Sequence, residues 1–408
     1  MGRDLAATSD TAPTAPSADG SALAGRGTRV ALVLSTPTKT VRSHVRGLVV
    51  RLVAAGVDVR LVGPRSVLAT FSDVLDVRTR ATVLPLGDDT RPLHDLAAAG
   101  VLRAAVRQHD VEVVHAHGFR AAAVSALVLR LLRHRPALVT TWHGLPFPLT
   151  GRPLTVRSGA RLVARSSDVT LAASEDLREL AVRLGAEDVR TSPVAAPRVP
   201  APREPRALLR ARLAGDLGLR PEVPWVLAVG RIVPEKDHGT LLAAAARWRG
   251  LHPAPEVLLV GVGAAPVVAR LRRQIAEERL PVRLLGARDD VADLMHAADV
   301  FVLTSRWEAP ALAVQESMQA GLPVVATAVG GVPDVLGDAG VLVAAGDREA
   351  VAVEVARLLA DPERAEGLAA AALARARSLP DEDEVAAAVL AAYADALRRR
   401  PRRAWHAR

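Results

Sequence analysis

Several residue types are absent or scarce in this chain of 408 residues. There is no cysteine, which excludes disulfide bonds, thiolate metal sites and a thiol nucleophile. Aromatic residues make up 2% of the chain, so any core must be aliphatic and rich in alanine. No apolar run reaches the roughly 18 residues of a membrane-spanning helix, so we expect no such span. Half of the residues are hydrophobic, which is enough to bury the cores of two ordinary domains.

Strand and helix patterns alternate along most of the chain. We predict a strand at Arg29–Leu34 and an amphipathic helix over residues 41–55, and the same succession restarts at Trp225. Between the two series, prolines cluster from Pro193 to Pro205 without apolar periodicity, which indicates a linker. The pattern predicts an α/β fold with doubly wound parallel sheets on both sides of that linker.

The two ends of the chain differ from the rest in composition. Residues 1–27 are rich in Ala, Thr, Ser, Pro and Gly and lack a charged start followed by an apolar run. They are therefore predicted to be a disordered tail and not a signal peptide. Residues 399–408 are predicted to be a basic tail. The two domains are then predicted at 28–200 and 201–378.

The most informative segment runs from Ser305 to Thr327. A strand leads into a polar turn that holds Glu308, and residues 311–320 then have the pattern of a helix that carries Glu316. The backbone N–H groups at positions 309–312 would face an anion, as helix N-termini do. Two carboxylates around an anion site predict a clamp for a ligand with phosphate in the middle and hydroxyls at both ends.

A second segment supplies positive charge. The strand that begins at Trp225 ends at Gly230 and is followed by Arg231 and, five residues later, Lys236. The chain has 53 lysines and arginines, yet its only lysines are Lys39 and Lys236. A lysine at this position indicates a compact point charge in place of a planar guanidinium fork. A solvated loop charge is the alternative interpretation of Lys236.

Together these segments resemble the retaining, nucleotide-sugar-dependent glycosyltransferases of family 4 (glycosyl transferases group 1), which have GT-B architecture. That family carries a Gly-Arg-x-x-x-x-Lys loop followed by a Glu-x7-Glu block, at about the spacing found here. The flanking sequences from Ala320 to Thr327 and from Val329 to Asp334 match as well. The resemblance spans about residues 28–395 and is most specific from 225 to 347.

The resemblance implies two Rossmann-like domains that face a cleft, with a helix over 379–398 crossing back to the first domain. It implies transfer of a sugar from a nucleotide-diphosphate sugar, with retention, to an acceptor that the sequence does not identify. Lipid-linked and cell-envelope molecules are candidates for that acceptor. We expect no cofactor and no metal, because cationic side chains and the helix dipole would take the place of a metal.

The resemblance also assigns roles to individual residues. Arg231 and Lys236 would neutralise the leaving diphosphate. Glu308 would bind the sugar hydroxyls, and Glu316 would bind the nucleotide ribose. The remaining donor-binding positions are the backbone at the start of the helix and a strand-end glycine: Ala309, Pro310, Ala311, Leu312 and Gly263.

Histidines follow two predicted strands of the first domain. His143 follows the strand at residues 137–141, and the resemblance places it against the donor sugar as a catalytic residue. A histidine at a helix start with no chemistry is the alternative. His115 and His117 have the spacing of a metal pair, but the strand predicted at 111–115 ends before His117, and no carboxylate cluster is nearby. We therefore predict no metal there.

Three loops leave alternatives open. Asp289 and Asp290 follow a strand and either line the base pocket or form a solvated turn. Residues 35–39, which end at Lys39, replace the family's Gly-Gly turn, and residues 193–197 replace its Asn-Gly-Val-Asp turn. Both departures are predicted on the acceptor side of the cleft, so the acceptor stays open and activity is placed in some doubt.

The positive charge is concentrated in the first domain. Residues 28–200 carry 24 basic and 14 acidic side chains, a net charge of +10, whereas residues 201–408 carry 27 of each. This favours an anionic partner, either a charged acceptor or the inner face of a membrane. Nucleic acid is disfavoured because the chain offers little aromatic surface for base stacking. We expect a cytoplasmic protein, with peripheral membrane contact through arginines near two helices as an open alternative: Arg42, Arg46, Arg51, Arg130, Arg133 and Arg135.

Two rival functions use the same scaffold. A sugar phosphorylase or nucleotide-sugar epimerase is one, but the chain lacks a further lysine in the second domain for the former, and the Glu-x7-Glu block is not expected in the latter. The other is a non-catalytic nucleotide-sugar-binding or membrane-associated scaffold protein that has lost its acceptor loop.

Overall fold

The computed structural model describes residues 27–35, 39–86, 92–145 and 154–399. The predicted tail at 1–27 therefore lies outside the described residues except for Gly27, as does the basic tail except for Arg399. The loop at 35–39 is described only at Ser35 and along the backbone of Lys39.

Two parallel sheets form the two halves of the molecule, and they confirm the predicted α/β architecture. The first sheet has seven strands in the order β3-β2-β1-β4-β5-β6-β7, and the second has six in the order β10-β9-β8-β11-β12-β13. The strands are β1 (Arg29–Leu34), β2 (Asp58–Gly63), β3 (Ala81–Val83), β4 (Val113–His117), β5 (Ala137–Trp142), β6 (Val169–Ala172), β7 (Val189–Thr191), β8 (Trp225–Val229), β9 (Glu256–Val260), β10 (Val282–Gly286), β11 (Val300–Leu303), β12 (Val324–Thr327) and β13 (Val341–Val343).

Helices cover both faces of each sheet, as buried parallel strands require. In the first half they are α1 (Lys39–Ala54), α2 (Arg65–Leu68), α3 (Val77–Arg80), α4 (Pro92–Gln108), α5 (Phe119–Arg130), α6 (Leu154–Ser166) and α7 (Glu175–Arg183). In the second half they are α8 (Arg206–Leu217), α9 (His238–Trp248), α10 (Ala265–Glu277), α11 (Val291–Ala297), α12 (Leu312–Gln319), α13 (Val332–Leu336), α14 (Arg348–Ala360), α15 (Pro362–Ser378) and α16 (Glu382–Arg398).

The last helix returns to the first domain. Val389 and Tyr393 of α16 are buried in the same core cluster as Leu48 of α1 and Val139 of β5. An ion pair of 2.8 Å between Arg51 of α1 and Glu382 holds the start of α16. The chain thus crosses between the domains twice, and this helix completes the first core.

The prediction for β4, residues 111–115, was displaced by two residues at both ends, because the strand runs from Val113 to His117. The strand was expected to end at His115, but it continues to His117, which pairs with Leu34 of β1 on one side and Thr141 of β5 on the other. A strand that lies between two long strands forms backbone hydrogen bonds along both of its edges. The sequence of that strand alone does not show how far this pairing extends. His115 and His117 therefore lie on the same face of β4.

The strand order places the site. In each sheet the chain first adds strands toward one edge and then returns to add the later strands on the other side of the first strand. This change of side lies between β1 and β4 in the first sheet and between β8 and β11 in the second. Ligands of doubly wound sheets bind beyond the carboxyl ends of the strands at such a switch point. Here these ends carry Ser35 and His117 in the first domain, and Gly230 and Thr304 in the second.

Candidate active site

Two predicted site residues meet at the switch point of the second sheet. Lys236 ends a short 3₁₀ helix (Pro234–Lys236) after β8, and Glu308 follows β11. The Lys236 Nζ atom donates to a Glu308 carboxylate oxygen, which also accepts from the Ser305 hydroxyl at 3.0 Å. Both side chains are mostly buried, at 15% and 16% exposure. Lysine and glutamate thus form one compact charge pair at the floor of the cleft.

Backbone contacts tie the two loops of this pair together. The Thr304 hydroxyl donates to the carbonyls of Lys236 and Asp237 at 3.2 and 3.1 Å, and the Arg306 N–H donates to the Glu235 carbonyl at 2.8 Å. The position of Lys236 is therefore fixed from the neighbouring strand. The pairing is a consequence of parallel strand order and not of nearness in sequence.

A glycine allows the Glu308 loop to pack closely. The backbone of Gly330 has φ of +53°, and a Cβ atom there would lie 1.9 Å from the Glu308 carbonyl oxygen. That carbonyl accepts from the Gly331 N–H at 2.8 Å. Any larger residue at Gly330 would push the loop of Glu308 away from its present position.

Gly263 serves the packing of a second loop. Ile232 and Gly263 form an isolated parallel bridge, and a Cβ on Gly263 would lie 2.3 Å from the Ile232 carbonyl oxygen. This contact sets the path of the chain just after Arg231, whose side chain is exposed at the edge of the cleft. The roles of Arg231 and Gly263 toward a donor stay predictions.

The start of α12 lies beside the charge pair. The helix begins at Leu312, one residue later than predicted, after Ala311 in a left-handed conformation with φ of 39°. Of the four backbone positions expected to face an anion, Pro310 cannot take part as a donor because proline has no N–H. Ala309, Ala311 and Leu312 keep that capacity; the side chain of Ala309 is buried against the core of the first domain and that of Ala311 in the core of the second.

Glu316 belongs to the half-buried face of α12, together with Leu312, Ala313 and Gln319. The opposite face, with Val314 and Met318, is buried in the core of the second domain. Glu316 therefore lies one helical turn beyond the helix start on the less buried face, and its role toward the nucleotide ribose stays a prediction.

Gln315 connects α12 to the linker. Its amide nitrogen donates to the carbonyls of Val194 and Pro310 at 3.0 and 2.8 Å, and its amide oxygen accepts from the Ala196 N–H at 3.0 Å. Gln319 accepts from the Val199 N–H at 2.8 Å. The segment 193–197, which was predicted on the acceptor side of the cleft, thus lies against α12.

Trp307 brings the two halves of the site together. Its indole N–H donates to Asp176 of α7 at 2.8 Å, and its ring lies 4.0 Å from the position of a Cβ on Gly144. Gly144 follows His143, so the loop of Glu308 packs against the loop of His143 across the cleft. The fold therefore places His143, Lys236 and Glu308 around one cleft.

The first-domain wall of the cleft consists of buried histidines. Nδ1 of His117 and Nε2 of His143 lie 3.1 Å apart, and the two rings are within 15° of parallel. One ring donates an N–H to the other. The outer atoms of this pair, His117 Nε2 and His143 Nδ1, are buried without a partner among the described residues.

Two more histidines complete this wall. His115 contacts the Tyr393 hydroxyl and the Thr141 hydroxyl, each at 2.7 Å. His44 of α1 lies with its ring centre 5.1 Å from that of His143. Nothing in the sequence groups His44 with the others, because it lies 71 positions before His115.

Burial keeps all four imidazoles neutral. Loss of hydration lowers the pKa of His44 to about 4, and the same loss, with the nearby His44, lowers the pKa of His115 to about 3. The pKa values of His117 and His143 are likewise far below the ordinary value, because burial and the neighbouring imidazoles both disfavour a positive charge. At neutral pH His143 thus acts as an uncharged hydrogen-bonding group.

Comparison with known proteins decides the family. The family profile described as glycosyl transferases group 1 matches residues 210–375, and that of the glycosyl transferase 4-like domain matches residues 39–197. A D-inositol 3-phosphate glycosyltransferase of Xylanimonas cellulosilytica is 34% identical over 75% of this chain and 77% of its own. The chain belongs to the group 1 glycosyltransferases. Sugar transfer is accordingly the activity of this glycosyltransferase, and nothing favours the non-catalytic alternative.

Two further similarities agree with this assignment. A GDP-mannose-dependent alpha-(1-6)-phosphatidylinositol monomannoside mannosyltransferase of Mycolicibacterium smegmatis is 29% identical over 69% of this chain and 76% of its own. The solved structure of Anabaena HepE in complex with UDP and glucose has a TM-score of 0.74 at 20% identity, over 89% of this chain and 98% of that one. This structural likeness supports the GT-B fold.

The arginines considered for membrane contact are partly engaged within the glycosyltransferase. Arg46 pairs with Asp73, Arg51 with Glu382, and Arg135 with Asp168 at 3.8 Å. Among the described residues, no helix has both the length and the apolar character needed to cross a bilayer. The paired arginines contribute less to an anion-attracting surface than the sequence suggested.

Asp290 forms an ion pair, and three other residues near the site were not predicted from the sequence. Asp290, considered for the base pocket, accepts from Arg288 at 2.6 Å, and this contact lowers the pKa of Asp290. Sequence reasoning missed Asp176, Gln315 and His44. No local signal in the sequence indicated Gln315, because its partners lie in the linker and Glu316, Ser317 and Gln319 of the same helix are also polar.

Proposed function

We propose that this glycosyltransferase is retaining and metal-independent and that its donor is a nucleoside-diphosphate sugar. The observation that carries the proposal is the Lys236–Glu308 pair at the β8/β11 switch point, whose loop contacts the loop of His143 through Trp307 and Gly144. A cation beside a carboxylate, at the start of a helix, suits a ligand that has phosphate groups next to sugar hydroxyls.

In the proposed donor complex, Lys236 exchanges its bond to Glu308 for one to the diphosphate. Arg231 at the edge of the cleft and the N–H groups of Ala309, Ala311 and Leu312 add to the positive potential there. Glu308, released from Lys236, accepts hydrogen bonds from the sugar hydroxyls. Glu316, on the same side of α12, accepts from the ribose hydroxyls.

The transfer step then needs no protein nucleophile. The bond from the anomeric carbon to the diphosphate oxygen breaks, and a bond to the acceptor oxygen forms on the same face of the sugar. The acceptor proton passes to the departing phosphate oxygen. Lys236 and Arg231 stabilise the negative charge that develops on the diphosphate, which is the part of the reaction that a metal would otherwise serve.

The acceptor proposed here is an anionic, phosphate-bearing polyol. The net charge of +10 over residues 28–200 favours an anion on the first-domain side of the cleft. The names of the two relatives point the same way, because one acts on inositol 3-phosphate and the other on a phosphatidylinositol monomannoside.

Donor hydrolysis and transfer test these proposals. Purified protein is incubated with UDP- and GDP-sugars in the presence of EDTA, and release of nucleoside diphosphate is followed with and without inositol 3-phosphate. Release that persists in EDTA, with a product of unchanged anomeric configuration by NMR, supports the proposal. Release that requires added Mg²⁺, or an inverted product, contradicts it.

A vesicle experiment separates a soluble from a membrane-bound phosphate acceptor. Co-sedimentation is measured with vesicles of anionic and of neutral lipid, at low and at high salt, because about 0.5 M salt screens charges beyond a few Å. Binding to anionic vesicles at low salt alone supports a lipid-linked acceptor at the surface of a cytoplasmic membrane. Transfer to free inositol phosphate without vesicle binding supports a soluble acceptor.

A further inference from the structure

Three histidines of the cleft have the arrangement of a metal site. His44 comes from α1, His117 from the end of β4 and His143 from the loop after β5. One ring nitrogen of each lies within 4.8 Å of those of the other two. Because three separate elements supply these side chains, the cluster is a product of the fold and not of a local motif.

The chemistry of the cluster suits a divalent transition metal. Neutral imidazole is a common ligand of Zn²⁺, and three histidines with one open position are a known ligand set. Zinc–nitrogen bonds of about 2.0–2.1 Å in a tetrahedron put the ligand nitrogens roughly 3.3 Å apart. His117 Nδ1 and His143 Nε2 are already 3.1 Å apart.

A single hydrogen bond joins His117 and His143. With one N–H between the facing nitrogens, one outer nitrogen carries a hydrogen and the other has a free lone pair. The ring that donates the N–H can therefore place its hydrogen on its outer nitrogen instead. His44 and His143 retain 8% and 9% exposure, so the cluster is not completely sealed from solvent.

We propose that His44, His117 and His143 bind one Zn²⁺ ion and that the ion inhibits sugar transfer by engaging His143. When the ion binds, the facing nitrogens of His117 and His143 both give their lone pairs to the metal. The proton between them moves to the outer nitrogen of the same ring, so both rings stay neutral. A water molecule takes the fourth position. Only the inhibition rests on the proposed function, since metal binding is independent of it.

Metal binding is measured first, without any sugar donor. Equilibrium dialysis against Zn²⁺, and titration with Co²⁺ followed by the visible absorption of its tetrahedral complexes, give the stoichiometry and affinity. We expect one ion per chain and a raised melting temperature in its presence. His44→Leu and His44→Gln should each weaken binding by about a hundredfold or more, since loss of an outer partner alone costs 10–100-fold. His134→Asn, which removes an exposed histidine, is the matched control and should bind as the wild type does.

Inhibition is measured second, as release of nucleoside diphosphate. Zn²⁺ should inhibit the wild type and the His134→Asn variant, EDTA should restore activity, and the His44 variants should be active and insensitive. Absence of a one-to-one site, or binding unchanged in both folded His44 variants, overturns the proposal. Binding without inhibition overturns its second half. A preparation that binds Zn²⁺ at this site but never turns over any donor would instead count against the proposed function.

Discussion

The two walls of the cleft stabilise their buried polar side chains in opposite ways. The wall of the first domain contains four imidazoles that burial keeps uncharged, among them His115 and His143. The wall of the second domain contains a full charge of each sign, with Lys236 paired to Glu308. Desolvation penalises an isolated charge more than a paired one. Histidine can lose its proton and become neutral near physiological pH, whereas lysine and glutamate need a partner.

This difference has a functional consequence. The charged wall is suited to a ligand that brings its own charges, because a diphosphate can replace Glu308 as the partner of Lys236. The neutral wall is suited to hydroxyl groups, which accept and donate hydrogen bonds without charge. Under the proposed function, the charged wall receives the diphosphate through Lys236 and sugar hydroxyls through Glu308, while the neutral wall can add further hydrogen bonds to hydroxyl groups.

The neutral wall, which contains the four buried histidines, should be destabilised at acidic pH. The unfolded protein takes up protons on histidine below a pKa of 6.5, while His44 and His115 resist protonation down to about 4 and about 3. Folded pKa values below the unfolded ones give stability that is complete above pH 6.5 and is lost as the pH falls. At pH 5 each of these two should cost about 2 kcal/mol relative to pH 7.

Urea unfolding at pH 7 and pH 5 measures this effect. The free energy of unfolding should be lower at pH 5, and a His44→Leu variant should show a smaller difference between the two pH values. The same pH dependence in the variant would show that His44 is not held neutral by the fold.

Replacement of Lys236 in the charged wall should lower the rate of sugar transfer. A charge-assisted hydrogen bond contributes roughly 1.5–3 kcal/mol, so Lys236→Met should lower turnover by about ten- to a hundredfold. Arg231→Ala should have an effect in the same range. The variants are assayed with the best donor found for the wild type.

Two controls sharpen the Lys236 result. Lys236→Met leaves Glu308 without its ion partner, so the double variant Lys236→Met/Glu308→Gln shows whether lost activity comes from an unpaired carboxylate. Arg306→Ala removes an exposed cation from the neighbouring loop and should keep nearly full activity. Full activity in Lys236→Met would make the diphosphate assignment wrong.

The link between the charged wall and the linker depends on Gln315. Gln315→Leu leaves a buried N–H of Ala196 and a carbonyl of Val194 without partners, which should lower the free energy of unfolding by about 1–3 kcal/mol. Gln319→Leu removes one bond, to Val199, and should cost about 0.5–1.5 kcal/mol. Denaturant unfolding of both variants compares them, and a larger loss for Gln319→Leu would contradict the ranking.

The two glutamates should differ in nucleotide binding. Glu316→Gln should weaken the binding of bare UDP or GDP by about tenfold, or about 1.4 kcal/mol, because it loses a charged acceptor for the ribose. Glu308→Gln should bind the nucleotide at least as tightly as the wild type, because Lys236 no longer has a competing partner. Calorimetric titration tests this division, and equal losses in both variants would disprove it.

Much of the fold was accessible from the sequence because it depends on local periodicity. β1 has the predicted bounds, and α1 differs from its prediction by two residues at the start and one at the end. The short edge strands β3 and β7 have three residues each and too little pattern to be recognised alone. The carboxyl end of β4 was missed because the ladders with β1 and β5 extend it to His117.

The sequence by itself determined the family, through short spacings such as Glu-x7-Glu, and the two doubly wound sheets, through local periodicity. Only the tertiary structure decided which side chains share a site. It paired Lys236 with Glu308 across 72 residues, set His44 beside His143, and joined Gln315 to the linker. Such pairs depend on the order of strands in a sheet and on the packing of one domain against another, and local periodicity contains neither.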